Sequence, residues 1–360
     1  MIDRYLPELR RGRRERVHLE LVFFCGGSIS LFCTYSDLVG TYSFRSISAC
    51  TYVGEDAGVT SEKIINMSLC ITYPSIIMHG RTSPDSYVLT PEHIETFHRD
   101  GCVTLPNVLT EEEVSEIEKV FDRFLNREIH VPDKDFCDMS KPFGIPFEMW
   151  SIVNCMLPTK YHPEFAGNIF ERLTAGIVRQ IHPNLEMVKD YDQLLNKRPG
   201  KGDAVFPWHQ DMGYWPGPKA LGGVEETSTC TFSLAVDDST EENGCLRYLP
   251  GSGMTRTLRR HAPLSGSRDE GHALTIDVDE SRGDVVTLAP CMRGSVTVHD
   301  EFVVHGSSGN MAHDRQRRTY VLAYRPKRVV EAERRLGFTH SHNDVVNWDT
   351  FDDGEDRKKA

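Results

Sequence analysis

The feature that most constrains the fold is a run of segments after residue 203 in which apolar residues recur with a period of two. In STCTFSLAVDD, residues 228–238, Cys230, Phe232, Leu234 and Val236 alternate with small or polar residues. This alternation is typical of a strand that buries one face. Turns rich in glycine and proline separate such segments, and three later ones are GDVVTLAP (283–290), RGSVTVHDEFVVHG (293–306) and RRTYVLAYRP (317–326).

Helical signals precede these strands. Thr90 and Pro91 predict an N-cap and a first helical residue, and Gly101 ends the helix PEHIETFHRD. A capping box at 110–113 begins a second helix, whose apolar stripe is Val114, Ile117, Val120, Phe121 and Phe124. Helices followed by a run of strands predict an α+β chain with a β-dominated core, arranged as a sandwich or a barrel.

The region between these two parts has weaker signals. Residues 145–157, IPFEMWSIVNCML, and 163–181, PEFAGNIFERLTAGIVRQI, predict two further helices. Residues 186–202, EMVKDYDQLLNKRPGKG, lead into a predicted irregular turn rich in glycine and proline.

Residues 1–77 differ from the rest of the chain. RRGRRER at 10–16 precedes an apolar stretch at 21–36, an order typical of a signal peptide or anchor. That stretch is shorter than the roughly 20 apolar residues of a membrane-spanning helix. Regular patterning begins after Met78, so we favour a native start there, with 1–77 as an extension that is poorly ordered or not native. A folded domain over 78–330 and a C-terminal tail over 331–360 complete the predicted organisation, and a membrane-anchoring role for 1–77 is the alternative.

Composition excludes several function classes. A net charge of −12 disfavours nucleic acid as a partner, since such a surface needs clustered Lys and Arg to neutralise phosphates. The ten cysteines form no C-x-x-C pair, so a zinc ribbon or a thioredoxin-like site has no support. Dispersed cysteines in a chain of this size predict reduced thiols and an intracellular, cytoplasmic protein. The C-terminal RKKA and the VHL at 17–19 do not support a peroxisomal address.

A His-x-Asp motif stands in PWHQDMG, residues 207–213. Side chains two residues apart in an extended segment point to the same side, so His209 and Asp211 can reach one ion. Two imidazoles and a carboxylate suit Fe(II) and leave coordination positions open. His305 follows 96 residues later on a predicted strand and is the candidate third ligand.

Two other histidine motifs compete with this one. His299 and Glu301 form a second His-x-carboxylate, and His340 and His342 stand close together near the C-terminus. The first pair lies only a few residues before His305, and the second lies outside the strand pattern. Both are therefore interpreted as structural or surface residues.

Basic residues flank the candidate ligands. Arg315, Arg317 and Arg318 follow His305 at the start of the next predicted strand. A guanidinium can bind a carboxylate through two parallel hydrogen bonds, although a solvated turn is the alternative for these arginines. Lys197 precedes the motif and is either a pocket cation or a solvated lysine.

From about residue 90 to 326 the chain resembles the phytanoyl-CoA dioxygenase family. The matching stretches occur in the family's order and are HIETFHRDGCVTLPNVLTEEEV, NKRPGKG, PWHQD, AVDDSTEENGCLRYLPGSG, GDVVTLAP and HGSSGN followed by arginines. The resemblance implies a double-stranded β-helix, a jelly-roll or cupin-like barrel, with flanking N-terminal helices.

The resemblance also implies a site. Its iron ligands are His209, Asp211 and His305, with Ser307 touching the co-substrate 2-oxoglutarate. Arg317 grips the distal carboxylate of 2-oxoglutarate, and Arg318 is the alternative. Lys197 is a possible further contact.

The implied activity is an Fe(II)- and 2-oxoglutarate-dependent dioxygenase. It consumes O₂, is supported by ascorbate, and hydroxylates a C–H bond of a small organic molecule such as a secondary metabolite, a lipid or an acyl-CoA, releasing succinate and CO₂. Desaturation, epoxidation and ring closure stay open, whereas Asp211 argues against halogenation, because related halogenases lack that carboxylate. The alternative is a non-catalytic barrel that binds a small ligand or a structural metal. The oligomeric state is open, and a membrane partner is not expected.

Overall fold

The computed structural model describes residues 16–23, 29–37, 40–44, 79–268 and 270–346. The chain divides into two compact units, Met1–Ile77 and Met78–Ala360. The origin of residues 1–77 as an extension stays a prediction, and so do the limits of the domain and the tail. No helix in the described ranges is long and apolar enough to cross a membrane.

The described part of the first unit is an antiparallel sheet. Its strands are β1 (Arg16–Phe23), β2 (Ile29–Asp37) and β3 (Gly40–Phe44), and β2 lies in the middle. The apolar stretch 21–36 therefore contains parts of β1 and β2, although its sequence has no strand periodicity. The remainder of the predicted extension lies outside the described residues.

The second unit is dominated by strands. These are β4 (Gly80–Ser83), β5 (Ser86–Val88), β6 (Cys102–Leu105), β7 (Phe136–Asp138), β8 (Ile152–Met156), β9 (Met187–Lys197), β10 (Phe206–His209), β11 (Cys230–Ala235), β12 (Leu246–Leu249), β13 (Ala262–Pro263), β14 (Leu274–Thr275), β15 (Thr287–Ala289), β16 (Val296–His299), β17 (Val304–Ser307) and β18 (Arg317–Pro326). The helices are α1 (Pro91–Asp100), α2 (Glu111–Leu125), α3 (Pro158–Tyr161), α4 (Ile169–Ile181) and α5 (Lys327–Arg335).

Two antiparallel sheets make up the body of this unit. The larger has the order β6-β16-β11-β18-β9-β8-β7, and the smaller has the order β10-β17-β12-β15. Sequence-distant strands are neighbours in both sheets, as β10 and β17 are in the smaller one. The α+β fold class with a β-dominated core is confirmed.

Helix α1 begins and ends as the sequence predicts and α2 begins at its predicted capping box, whereas α4 begins only at Ile169, six residues after the start predicted for it. Thr90 Oγ1 accepts a hydrogen bond from His93 N at 3.0 Å, and Thr110 forms a capping box with Glu113. Gly101 ends α1 in the left-handed conformation, with φ of 74°. The apolar faces of these helices share one core with the larger sheet, and its members include Phe121, Phe124, Phe170, Ile177, Phe232, Leu234, Val296, Tyr320 and Leu322.

The structure differs from the sequence prediction at two places in the middle region. The helix predicted over 145–157 is wrong, and this stretch is instead a short 3₁₀ turn, Phe147–Met149, followed by β8. The sequence predicts no strand over 186–202, where the structure has the eleven-residue strand β9. Every residue of β8 is buried, so it shows no alternation. In β9 the alternation is masked because polar residues are also buried, among them Asp190, Asp192 and Lys197.

Two glycine substitutions test this account of the helices. Gly101→Ala places a Cβ at positive φ, 3.1 Å from both Asp300 Oδ2 and Val303 Cβ, so we expect it to lower the free energy of unfolding by more than about 1 kcal/mol. Gly176 lies inside α4 with open space around it, and Gly176→Ala is expected to raise that free energy by about 0.5–1 kcal/mol. Urea denaturation measures the free energy of unfolding of both variants. Changes of the same sign would contradict the assignment of Gly101 to a left-handed helix end and of Gly176 to a helix interior.

Candidate metal centre

The pairing of β10 with β17 brings the first and third candidate ligands together. His209 and His305 are direct partners in this register, and their ring centroids lie 4.1 Å apart. Asp211 follows β10 as the first residue of a 3₁₀ turn, Asp211–Tyr214. Its Oδ1 lies 3.6 Å from His209 Nε2 and 3.5 Å from His305 Nε2. All three side chains are buried, and one ligand atom from each lies within 4.8 Å of the others.

Backbone carbonyls orient both imidazoles. His209 Nδ1 lies 2.8 Å from Pro207 O, and His305 Nδ1 lies 3.0 Å from Val303 O. A carbonyl only accepts, so Nδ1 carries the proton and Nε2 of the neutral ring presents its lone pair to the centre. Burial, reinforced by the neighbouring His299 and His209, holds the pKa of His305 well below its usual value, which favours this neutral form.

Asp211 is held ionised and oriented by its neighbours. Burial alone would raise its pKa, whereas positive charge on the surrounding imidazoles, His305 first, holds that pKa well below the usual range whenever one of these rings is protonated. Thr231 Oγ1 donates to Asp211 Oδ2 at 3.0 Å. His299 Nε2 lies 3.3 Å from the same oxygen. One carboxylate oxygen is thus used within the protein, and Oδ1 faces the two imidazoles.

His299 is a site residue that the sequence interpretation did not identify. Instead of lying at the surface, it is buried against Asp211. A usable signal was present, because alternation in β16 puts Val296 and Val298 in the core and His299 on the opposite face. Its cross-strand partner on β11 is Thr231, the residue that bonds Asp211.

A second group of acidic and histidine side chains also converges, at Asp190, Glu333 and His340. His340 Nε2 lies 2.8 Å from Asp190 Oδ2, so this histidine is buried and structural. Arg325 contacts both carboxylates, and Arg334 contacts Asp190. Because arginines already balance these charges, the group is an ion-pair network and a poor cation site.

An inner cavity extends from the candidate ligands to a pair of buried cations. It is lined by His209, Asp211, His305, Ser307, Lys197 and Arg317, among others. Lys197 and Arg317 are direct partners between β9 and β18, and they are 1% and 4% exposed. Lys197 Nζ donates to Ser308 O, whereas Arg317 Nε has no hydrogen-bond partner among the residues that the structure describes. Within the described residues, neither cation has a carboxylate within 4 Å.

The neighbouring arginines serve other purposes. Arg318 points away from the cavity and forms ion pairs with Asp237, Asp122 and Glu118. Arg315 is half exposed and pairs with Glu242. The geometry therefore brings Arg317, but not Arg318, together with the candidate ligands.

An outer cavity of about 350 Å³ meets the inner one at His209 and Asp211. Tyr214 and Trp215 line it, as does the C-terminal strap, which we define as residues 338–346. Trp208 does not line it and stacks on Arg247, whose guanidinium carbon lies 4.2 Å from the ring centroid. The wall of the outer cavity beside the His-x-Asp motif is thus made by Tyr214, Trp215 and the strap.

The profile of the phytanoyl-CoA dioxygenase (PhyH) family matches residues 97–319. The chain belongs to this family. An ectoine dioxygenase of Nocardia farcinica is 26% identical over 61% of this chain and 72% of its own length. An L-proline trans-4-hydroxylase of Streptomyces griseoviridis is 26% identical over 61% of this chain and 81% of its own length.

Solved structures agree on the fold. EvdO2 from Micromonospora carbonacea var. aurantiaca, in complex with 2-oxoglutarate, superposes with a TM-score of 0.52 at 24% identity, covering 66% of this chain and 91% of that one. The double-stranded β-helix is therefore confirmed. Members of the family depend on Fe(II) and 2-oxoglutarate.

The different surroundings of Arg317 and Arg318 predict opposite effects on stability. Arg318→Met leaves three partly buried acids without their cation, and we expect it to lower the free energy of unfolding by about 3 kcal/mol. Arg317→Met removes a buried charge that has no carboxylate partner, so the free energy of unfolding is expected to stay constant or rise. Denaturant unfolding without 2-oxoglutarate measures both. Equal losses would mean that Arg317 has a structural counter-charge.

Proposed function

We propose that this chain is an Fe(II)- and 2-oxoglutarate-dependent dioxygenase that hydroxylates a C–H bond of a small organic molecule. One observation carries the proposal: a buried group of two imidazoles and a carboxylate shares a cavity with a buried guanidinium that has no carboxylate partner in the described part of the chain. The first part suits a metal and the second suits the far end of a dicarboxylate.

His209, Asp211 and His305 are the proposed ligands of Fe(II). Their donor set is the two-histidine, one-carboxylate set typical of non-haem iron oxygenases, and their Nε2 and Oδ1 atoms face one another. When bound, Fe(II) supplies the oxidative chemistry, in which O₂ and 2-oxoglutarate give succinate, CO₂ and one oxygen atom for the substrate C–H bond. Thr231 and His299 keep Asp211 in its orientation.

Arg317 is the proposed partner of the distal carboxylate of 2-oxoglutarate. A buried guanidinium without a counter-charge is costly in the free protein, and a dicarboxylate would remove that cost through bidentate hydrogen bonds. Lys197 pairs with Arg317 across β9 and β18, and burial, with the charge of Arg317 next, holds its pKa well below its usual value, so a bound carboxylate would favour its charged form. Ser307, buried on β17, lines the same cavity and offers a hydroxyl. The three acids that pair with Arg318 favour Arg317 over it for this role.

The outer cavity is the proposed substrate site. It adjoins His209 and Asp211, and its volume lies in the range of small-molecule pockets. The ectoine and L-proline enzymes among the relatives are named for small-molecule oxidations, which supports a small metabolite as substrate.

Succinate formation tests the activity. With Fe(II), ascorbate and 2-oxoglutarate, the purified protein is expected to release succinate slowly even without substrate. Asp211→Ala is expected to abolish this release, since it removes one of three proposed ligands, whereas Asp314→Ala, at an 86% exposed side chain, should leave it unchanged. Coupled enzymatic detection of succinate is the measurement. Binding of metal or 2-oxoglutarate with no succinate from the wild type would favour the non-catalytic barrel.

Binding of 2-oxoglutarate tests the arginine assignment separately. Arg317→Met is expected to raise the Kd of 2-oxoglutarate about 100-fold, because it removes two charge-assisted hydrogen bonds worth about 3 kcal/mol together. Arg318→Met, measured at a temperature where it is folded, should change that Kd by less than about threefold. Calorimetric titration in the presence of Mn(II) gives both constants. The reverse order would move the assignment to Arg318.

A further inference from the structure

Tyr191 is the only tyrosine between residues 79 and 346 whose hydroxyl has no hydrogen-bond partner among the described residues. The other six tyrosine hydroxyls in that range all have one, and they belong to Tyr87, Tyr161, Tyr214, Tyr248, Tyr320 and Tyr324. Tyr191 is nonetheless only 7% exposed. A buried hydroxyl without a partner costs free energy, so its place in the cavity calls for an explanation.

The ring of Tyr191 is fixed by the C-terminal strap and by the outer cavity wall. His340 of the strap stacks on it, with ring centroids 4.3 Å apart and planes at 28°. Trp215 meets its edge at 6.1 Å. His340 is in turn held by Asp190 at 2.8 Å. The phenol therefore has little freedom to turn towards another protein partner.

The hydroxyl lies where the two cavities meet. Tyr191 lines both the inner and the outer cavity, together with His209 and Asp211. Unlike the fully buried polar atoms that have no partner, the hydroxyl of Tyr191 keeps some accessible surface. This surface can face the two cavities that Tyr191 lines. Burial, with Asp211 next, holds the pKa of Tyr191 well above its usual value, and the group is therefore a hydrogen-bond donor at neutral pH.

We propose that Tyr191 is a substrate-binding residue whose hydroxyl donates a hydrogen bond to an acceptor oxygen of the substrate, close to the carbon that is oxidised. This rests on the proposed function. It implies a substrate with a carbonyl, carboxylate or ether oxygen near the reacting C–H bond, and it excludes a plain hydrocarbon chain. A site built around such a donor discriminates against analogues without the acceptor, because the donor is then left unpaired.

The first test needs no substrate. Tyr191→Phe removes only the hydroxyl, and the Tm of the ligand-free protein is expected to stay constant or rise. The matched control is Tyr324→Phe, which loses a hydrogen bond to Glu171 O at 2.9 Å and is expected to lower the Tm by about 2 °C. A loss in Tyr191→Phe equal to that of the control would assign the hydroxyl a structural bond and overturn the proposal.

The second test uses a small-molecule metabolite extract as the probe. Wild type and Tyr191→Phe are incubated with the extract, Fe(II), ascorbate and 2-oxoglutarate, and compounds that gain one oxygen atom are quantified by mass spectrometry. We expect Tyr191→Phe to form the wild-type product about tenfold more slowly, while its substrate-free succinate release and its Kd for 2-oxoglutarate stay unchanged. Equal product formation by both proteins would overturn the proposal.

The remaining outcomes are also decisive. Loss of substrate-free succinate release in Tyr191→Phe alone would place the hydroxyl in co-substrate chemistry and overturn a substrate-binding role. Absence of succinate from the wild type would overturn the proposed function itself. Succinate release with no oxidised extract compound would reject a small-molecule substrate, and the assignment of Tyr191 with it. Once a product is known, analogues of its substrate can be made in which one oxygen at a time is replaced by CH₂. One analogue is expected to be oxidised about tenfold more slowly than the substrate by the wild type and at an unchanged rate by Tyr191→Phe.

Discussion

The register between β10 and β17 is the constraint on which the candidate site depends. It places His209 opposite His305, and the chain turns immediately after β10 so that Asp211 faces both rings. The carbonyl two residues before each histidine orients its imidazole. A slip of one residue would send one imidazole to the other face of the sheet, and the three side chains would no longer share a centre.

The buried basic residues fall into two groups, those that pair with acids inside the protein and those proposed to bind a ligand. Arg325 is fully buried but contacts Asp190 and Glu333, and Arg318 is surrounded by three acids. Arg317 and Lys197 lie together, with no carboxylate within 4 Å among the described residues. A buried charge without a counter-charge is unfavourable in the free protein, and binding of the proposed dicarboxylate co-substrate would offset that cost.

The same reasoning applies to hydrogen bonds at the junction of the cavities. Six of the seven tyrosine hydroxyls between residues 79 and 346 are used inside the protein, and Tyr191 is the exception. The strap connects this exception to the ion-pair network, since His340 contacts both Tyr191 and Asp190. The strap thus contacts the ion-pair network through His340 and also lines the outer cavity.

Local rules in the sequence determined much of the fold and named most of the candidate site. Caps at Thr90 and Thr110 and the left-handed glycine at 101 set helix limits, because they depend on a few adjacent residues. Alternation predicted β11, β15 and β18, whereas the single strand predicted over residues 293–306 is two strands of different sheets, β16 and β17. The motifs named His209, Asp211 and His305. The tertiary structure alone decided the rest. The strands β8 and β9 are buried on both faces, which removes the alternation that would identify them. Arg317 and Arg318 differ only in the face of β18 that each occupies. His299 and Tyr191 acquire their surroundings from residues far away in the chain, and no local pattern records which partner a buried polar group will have.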